Sequence, residues 1–176
     1  MKSILLNLIC LCAFTLAGCA TGTVEVPGIC SSQEIGTVPA SPVGTQFEPI
    51  TYSTNFDLSD AVNKTKDVAD STSVTITQLI LSGTTTLRWV NHVTVTIRAK
   101  DVNGPDKVFA SYQNDGTGDD YALNMNVLMS SDEIATYLKS PIILTFQIYA
   151  PTGPTSFNQL SANICADVTA TVSKGL

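Results

Sequence analysis

Leu160-Ser161-Ala162-Asn163-Ile164-Cys165-Ala166-Asp167-Val168-Thr169-Ala170-Thr171-Val172 alternates apolar and polar side chains without a break over 13 residues. Successive side chains of a strand point to opposite faces, so this pattern reads as one long half-buried β-strand. Cys165 falls in the polar set with Ser161, Asn163 and Asp167, which puts it on the face away from the core. Other segments repeat the period. Val93-Thr94-Val95-Thr96-Ile97 alternates cleanly, with Trp89 in phase with its apolar side. Tyr121, Leu123, Met125, Val127 and Met129 alternate with Ala122, Asn124, Asn126, Leu128 and Ser130. Ile142, Leu144, Phe146 and Ile148 form a further apolar face after Pro141. Weaker strand signals cover 47–55, 74–81 and 107–113, giving about seven strands in all.

Turn chemistry separates these runs: Ser82-Gly83, Asn103-Gly104-Pro105 and Asp115-Gly116-Thr117-Gly118. Two helical interruptions fit between strands. Ser130 followed by Ser131-Asp132-Glu133 has the form of a capping box, and Ile134, Tyr137 and Leu138 share one helical face behind it. A shorter turn fits Ser59 to Lys64. The expectation is an all-β chain, an immunoglobulin-like antiparallel β-sandwich of about seven strands with one or two short helices. Another small antiparallel sandwich or a jelly roll is the alternative. The sandwich is expected over 47–176. Residues 20–46, with Pro27, Pro39, Pro42 and several Gly, Ser and Thr, read as a tether and irregular lead-in.

The N-terminus carries the most specific motif. Lys2 supplies a positive start, Ile4 to Leu16 form a short apolar run, and Leu16-Ala17-Gly18-Cys19 closes it. This resembles the signal peptide and lipobox of a bacterial lipoprotein. The run is shorter than the roughly 20 residues a membrane-spanning helix needs. An ordinary secretory signal is the plain alternative. The resemblance implies removal of 1–18, acylation of Cys19, and a lipid-anchored mature protein outside the cytoplasm. Ala20 after Cys19, in place of Asp, favours the outer membrane by the same resemblance. More than one acyl chain makes such an anchor stable.

The chain has five cysteines. Cys10 and Cys12 leave with the signal and Cys19 takes the lipid, so Cys30 and Cys165 remain as one disulfide suited to an oxidising compartment. Two separate thiols are the alternative. A metal site is disfavoured, because neither cysteine has a His or Cys at ligand spacing. A bridge would hold the N-terminal segment to the last strand and keep the domain near the bilayer, leaving 20–29 as tether.

The precursor has net charge −6, and loss of Lys2 leaves 8 basic against 15 acidic side chains, or −7. That argues against a nucleic-acid partner, which needs clustered Lys and Arg. His92 is the only histidine and shares strand phase with Thr94, Thr96 and Arg98, which makes it a sheet-face residue; no nucleophile motif accompanies it. The loop Asn114-Asp115-Gly116-Thr117-Gly118-Asp119-Asp120 offers Asp115, Asp119 and Asp120 as calcium ligands, against the plain reading of a hairpin turn. Asp101 to Asp106 offers a weaker version. Trp89 reads as a core residue or a sugar-stacking platform. No cofactor is expected apart from that calcium. The reading is a non-enzymatic, lipid-anchored envelope or cell-surface protein making protein–protein contacts. The alternative is a module for glycans or small ligands, calcium-assisted. A hydrolase ranks third.

Overall fold

In the computed structural model, the described residues are 21–42, 47–66, 69–100, 105–116 and 121–173. They form two antiparallel sheets facing each other across one apolar core. In chain order the elements are β1 (Thr21–Val38), β2 (Ile50–Phe56), α1 (Ser59–Lys66), β3 (Ser71–Gly83), β4 (His92–Ala99) and β5 (Lys107–Gln113). Then come β6 (Ala122–Asn124), β7 (Asn126–Val127), α2 (Ser131–Tyr137), β8 (Ile142–Tyr149) and β9 (Asn158–Ser173). One sheet runs β1-β9-β3-β6 and the other β2-β8-β4-β5-β7.

The all-β sandwich stands, and its strand order is that of the jelly-roll alternative. In an immunoglobulin-like sandwich the first two strands share a sheet. Here β1 and β2 lie in different sheets, and β1 pairs with the last strand, β9. A jelly roll has this alternation between sheets.

The long alternating stretch quoted first is the centre of the first sheet. Strand β9 pairs with β1 on one side, from Thr21↔Ser173 to Val38↔Asn158, and with β3 on the other, from Ser71↔Thr171 to Gly83↔Leu160. Its Leu160, Ala162, Ile164, Ala166 and Val168 are buried in the core. They face Val93, Val95 and Ile97 of β4 and Leu144, Phe146 and Ile148 of β8, all fully buried. Apolar burial of this kind is the main favourable term in folding.

The N-terminal segment departs from the expectation of a tether and irregular lead-in over 19–46. Residues 21–38 form β1, and Ile29, Ile35 and Val38 pack on or in the core. Proline and glycine in a run normally argue against a strand. Two bulges, between Val26 and Ile29 and between Glu34 and Gly36, accommodate Pro27-Gly28 and Gly36 without ending the ladder. At the first, Gly28 has φ +70° and its N–H donates to Asp167 Oδ1 at 2.7 Å. At the second, the Tyr52 ring of β2 lies where a Cβ on Gly36 would stand, and its hydroxyl donates to the Thr37 carbonyl. This contact ties the edge of one sheet to the edge of the other.

The segment expected as one strand over 121–130 is split. Met125 N–H donates to Leu79 O in the first sheet, and Leu128 N–H donates to Phe109 O in the second. The chain therefore passes from β6 to β7 and changes sheets. The capping box of α2 is present: Ser130 Oγ accepts from Glu133 N–H, and Glu133 Oε2 accepts from Ser130 N–H.

Candidate functional site

The jelly roll has two unlike ends. Thr21, Ser173 and Ser71 lie at one end by their register, with α1 and α2. The opposite end gathers the connections around 39–49, 84–91, 114–121 and 150–157. Among the described residues, the helical end carries Asp57, Lys100, Asp106, Asp132, Glu133 and Lys139, with Arg98 paired to Asp106 at 3.7 Å and Lys107 to Glu133. That pairing, with hydrogen bonds from Ser130, holds the Glu133 carboxyl below its ordinary range, and Glu133 in turn raises the Lys107 ammonium above its own. The described part of the loop end carries Glu48, Arg88 and Asp115 as its charges.

Beside these charges, the described part of the loop end holds aromatic and hydroxyl side chains. Tyr121 and Phe157 are exposed, at 56% and 58%. Phe47 and Trp89 meet edge to face with ring centroids 5.4 Å apart, and both pack partly on the core. His92 lies 5.7 Å from Tyr149, and its Nε2 is 2.8 Å from Thr94 Oγ1. His92 is half-buried on the outer side of β4, the sheet-face position its phase implied. Trp89 lies in the turn before β4 and not in the strand itself, between the two readings given to it.

Buried amides hold this end in shape. Asn158 is fully buried, and its side chain spans the 84–86 turn. Its Oδ1 accepts from Thr85 N–H at 3.2 Å, and its Nδ2 donates to the carbonyls of Thr85 and Thr86 at 3.2 and 3.4 Å. A buried amide with its donors and acceptors matched fixes a loop firmly. Asn114 Nδ2 donates to Val90 O at 2.9 Å, which joins the 114–116 turn to the same region. The 150–157 connection docks through Ser41 N–H to Pro154 O at 2.9 Å, and Gly153 sits so close to Ser41 and Phe47 that a Cβ there would overlap both.

A cleft of about 220 Å³ opens between the 84–91 and 150–157 connections. Thr85, Thr86, Trp89, Thr152, Thr155 and Ser156 line it, with the backbone of Gly153 and Pro154. Two of its lining residues each carry a buried polar atom without a hydrogen-bond partner, Thr85 Oγ1 and Trp89 Nε1. The sequence reading weighed Trp89 but passed over Thr85 and the 152–156 hydroxyls. Only the Thr/Ser density of 152–156 marked them.

Of the calcium candidates, Asp115 is exposed beside Tyr112, whose phenol is raised by burial and by the Asp115 charge. Asp119 and Asp120 lie outside the described residues, as do Asp101 and Cys19. Among the described residues no three His, Cys, Asp or Glu side chains come together as a metal site. Cys30 and Cys165 do meet, as a cross-strand disulfide between β1 and β9 with Cα atoms 4.1 Å apart. Cys165 shares the outer face with Asn163 and Gln78, away from the core cluster, although Cys30 and its neighbours leave it only 7% exposed.

No family model and no curated protein matches the chain. Among solved structures it is similar to a chain of Desmodium yellow mottle tymovirus, with 8% identity, 97% of this chain and 98% of that one covered, and a TM-score of 0.31. A chain of turnip yellow mosaic virus gives 12% identity, coverages of 96% and 90%, and a TM-score of 0.31. One from infectious bursal disease virus strain Gt gives 16%, with 99% of this chain and 37% of that one, at a TM-score of 0.31. Likenesses this remote carry no functional reading.

Proposed function

We propose that the chain is a lipid-anchored, non-enzymatic accessory protein of a bacterial cell envelope that presents the loop end of its jelly roll to a partner. The observation that carries this reading is the place of β1. The strand starts at Thr21, two residues beyond Cys19, and it starts at the helical end. An acylated Cys19 would therefore sit against the helical end with almost no stalk. The loop end would face away, roughly 50–60 Å along an 18-residue strand at about 3.3 Å per residue. Its exposed Tyr121 and Phe157 suit recognition of another molecule, since aromatic side chains offer large contact area at low entropic cost. The single histidine, engaged by Thr94 through Nε2 and tilted beside the Tyr149 ring, favours a structural role over general-base work.

The test has two arms. Mass spectrometry of the N-terminal peptide should find Cys19 diacylated or triacylated, and Cys19→Ala should move the protein from the membrane to the soluble fraction. A photo-crosslinking residue at Tyr121 or Phe157 should give one discrete adduct in intact cells, and the same residue at Thr136 of α2 should not. An adduct from Thr136 alone would reverse the proposed orientation. An unmodified Cys19 would remove the anchor.

A further inference from the structure

We infer that the cleft between the 84–91 and 150–157 connections is a binding site for a neutral carbohydrate, with Trp89 and Thr85 as its hydrogen-bonding centre. Three independent features of the cleft point the same way. Its lining has no charged side chain, so an ionic ligand would lose its hydration there without compensation. Hydroxyl groups dominate the lining, and each both donates and accepts, which matches a ligand that is itself a ring of hydroxyls. The third feature is the most specific. Trp89 Nε1–H, a donor only, and Thr85 Oγ1 are both buried and both lack a partner.

A buried polar group without a partner costs roughly 1–3 kcal/mol, and native proteins keep few of them. Of the three such atoms among the described residues, His92 Nδ1 lies elsewhere and the other two belong to residues that line this one cleft, on a turn already pinned by the fully buried Asn158; that concentration is what a ligand would complete. The ligand must bring an acceptor to Trp89 and a donor or acceptor to Thr85, and it must fit about 220 Å³. That is below the usual size of pockets for larger ligands, and it suits one sugar ring, with any further residues of a chain lying over exposed Phe157.

The inference names a ligand for the loop end and rests on the proposed function only for the direction in which that end faces. Binding in solution is independent of acylation, so the two readings fail separately. The chain has one tryptophan, so intrinsic tryptophan emission reports this cleft alone. The full chain purified in detergent, whatever the state of Cys19, would be titrated with neutral saccharides (glucose, galactose, mannose, N-acetylglucosamine and its oligomers) and with glucuronate and sialic acid as acidic counterparts.

A saturable shift in Trp89 emission with at least one neutral saccharide is expected. Thr85→Val, which keeps the shape and removes the hydroxyl, should weaken that binding about five- to tenfold. It should not lower the Tm of the free protein, because the hydroxyl it removes is unpaired. Trp89→Phe should weaken binding similarly by calorimetry. No saturable change with any neutral saccharide into the tens of millimolar overturns the inference. So does a preference for the acidic sugars. A fall in Tm of the free Thr85→Val variant also counts against it, because the hydroxyl would then have a partner, such as bound water, in the free protein.

Discussion

At residue scale, two residues do more for the architecture than their chemistry announces. Gly36 is required because the Tyr52 ring occupies the space a Cβ would take. Gly36→Ala should therefore cost roughly 1–3 kcal/mol by overpacking, read as a lower midpoint in urea at an unchanged slope. An unaltered midpoint would mean that the ring moves aside freely. Asp57 accepts hydrogen bonds from the Ser59 hydroxyl and N–H at 2.6 and 3.0 Å, and these hold its carboxyl below the ordinary aspartate value. Folding thus favours the charged form. The contribution is complete above the unfolded value of about 3.9, shrinks as pH falls through it, and is gone below the folded value. Asp57→Asn should lower Tm at neutral pH by more than it does near pH 3; an equal gap at both would contradict the assignment. Neither residue was legible as a contact in the sequence. Gly36 read as one of several loop glycines, because the ring that requires it comes from another sheet.

Most elements were legible where the chain kept a single period or a plain strand signal. The strands at 93–97, 107–113 and 142–148 all fall where the alternation put them, and the capping box at Ser130 starts α2 as its spacing implied. Ser130→Ala should destabilise the protein by about 1 kcal/mol, measured by denaturant unfolding, with loss below a few tenths indicating that Glu133 is held by Lys107 alone. Legibility failed where the period breaks and where a continuous period hides a change of sheet. In β1 the bulges at Pro27-Gly28 and at Gly36 shift the side-chain phase, so Ile29, Ile35 and Val38 never form one alternating set with Val24 and Val26. In 121–130 the alternation continues unbroken while the backbone changes partner sheets at Met125, which a side-chain pattern does not record. Leu128, in the outward set of that alternation, is exposed at 54% between half-buried Val127 and buried Met129. The cleft was illegible for a related reason. Its two walls are about 65 residues apart, and they meet only because Asn158 and Gly153 close the loops on each other.

For the whole molecule, the sandwich class followed from the strand count and turn spacing, but the sheet order did not. Alternation marks which face is buried and says nothing about which strand lies next to which. The Cys30–Cys165 bridge is the one long-range pairing that composition alone suggested, and it joins β1 to β9 over a separation of 135 residues. Closing a loop of that size removes unfolded-state entropy worth up to about 5 kcal/mol in the chain-entropy model. Reduction, or Cys30→Ala with Cys165→Ala, should lower Tm sharply and expose β1 to protease before the rest of the sandwich; simultaneous digestion of β1 and β9 would show that the first sheet opens as one unit. Strand β9 also sets a schedule. It is the last strand in chain order, yet it lies between β1 and β3 and supplies both with their long ladders. On the proposed reading of an exported lipoprotein, residues 21–83 would wait with those edges unpaired until residue 158 and beyond had crossed the membrane. An N-terminus already fixed to lipid would spend that interval tethered and incomplete, which makes the protein's assembly depend on the pace of its own delivery.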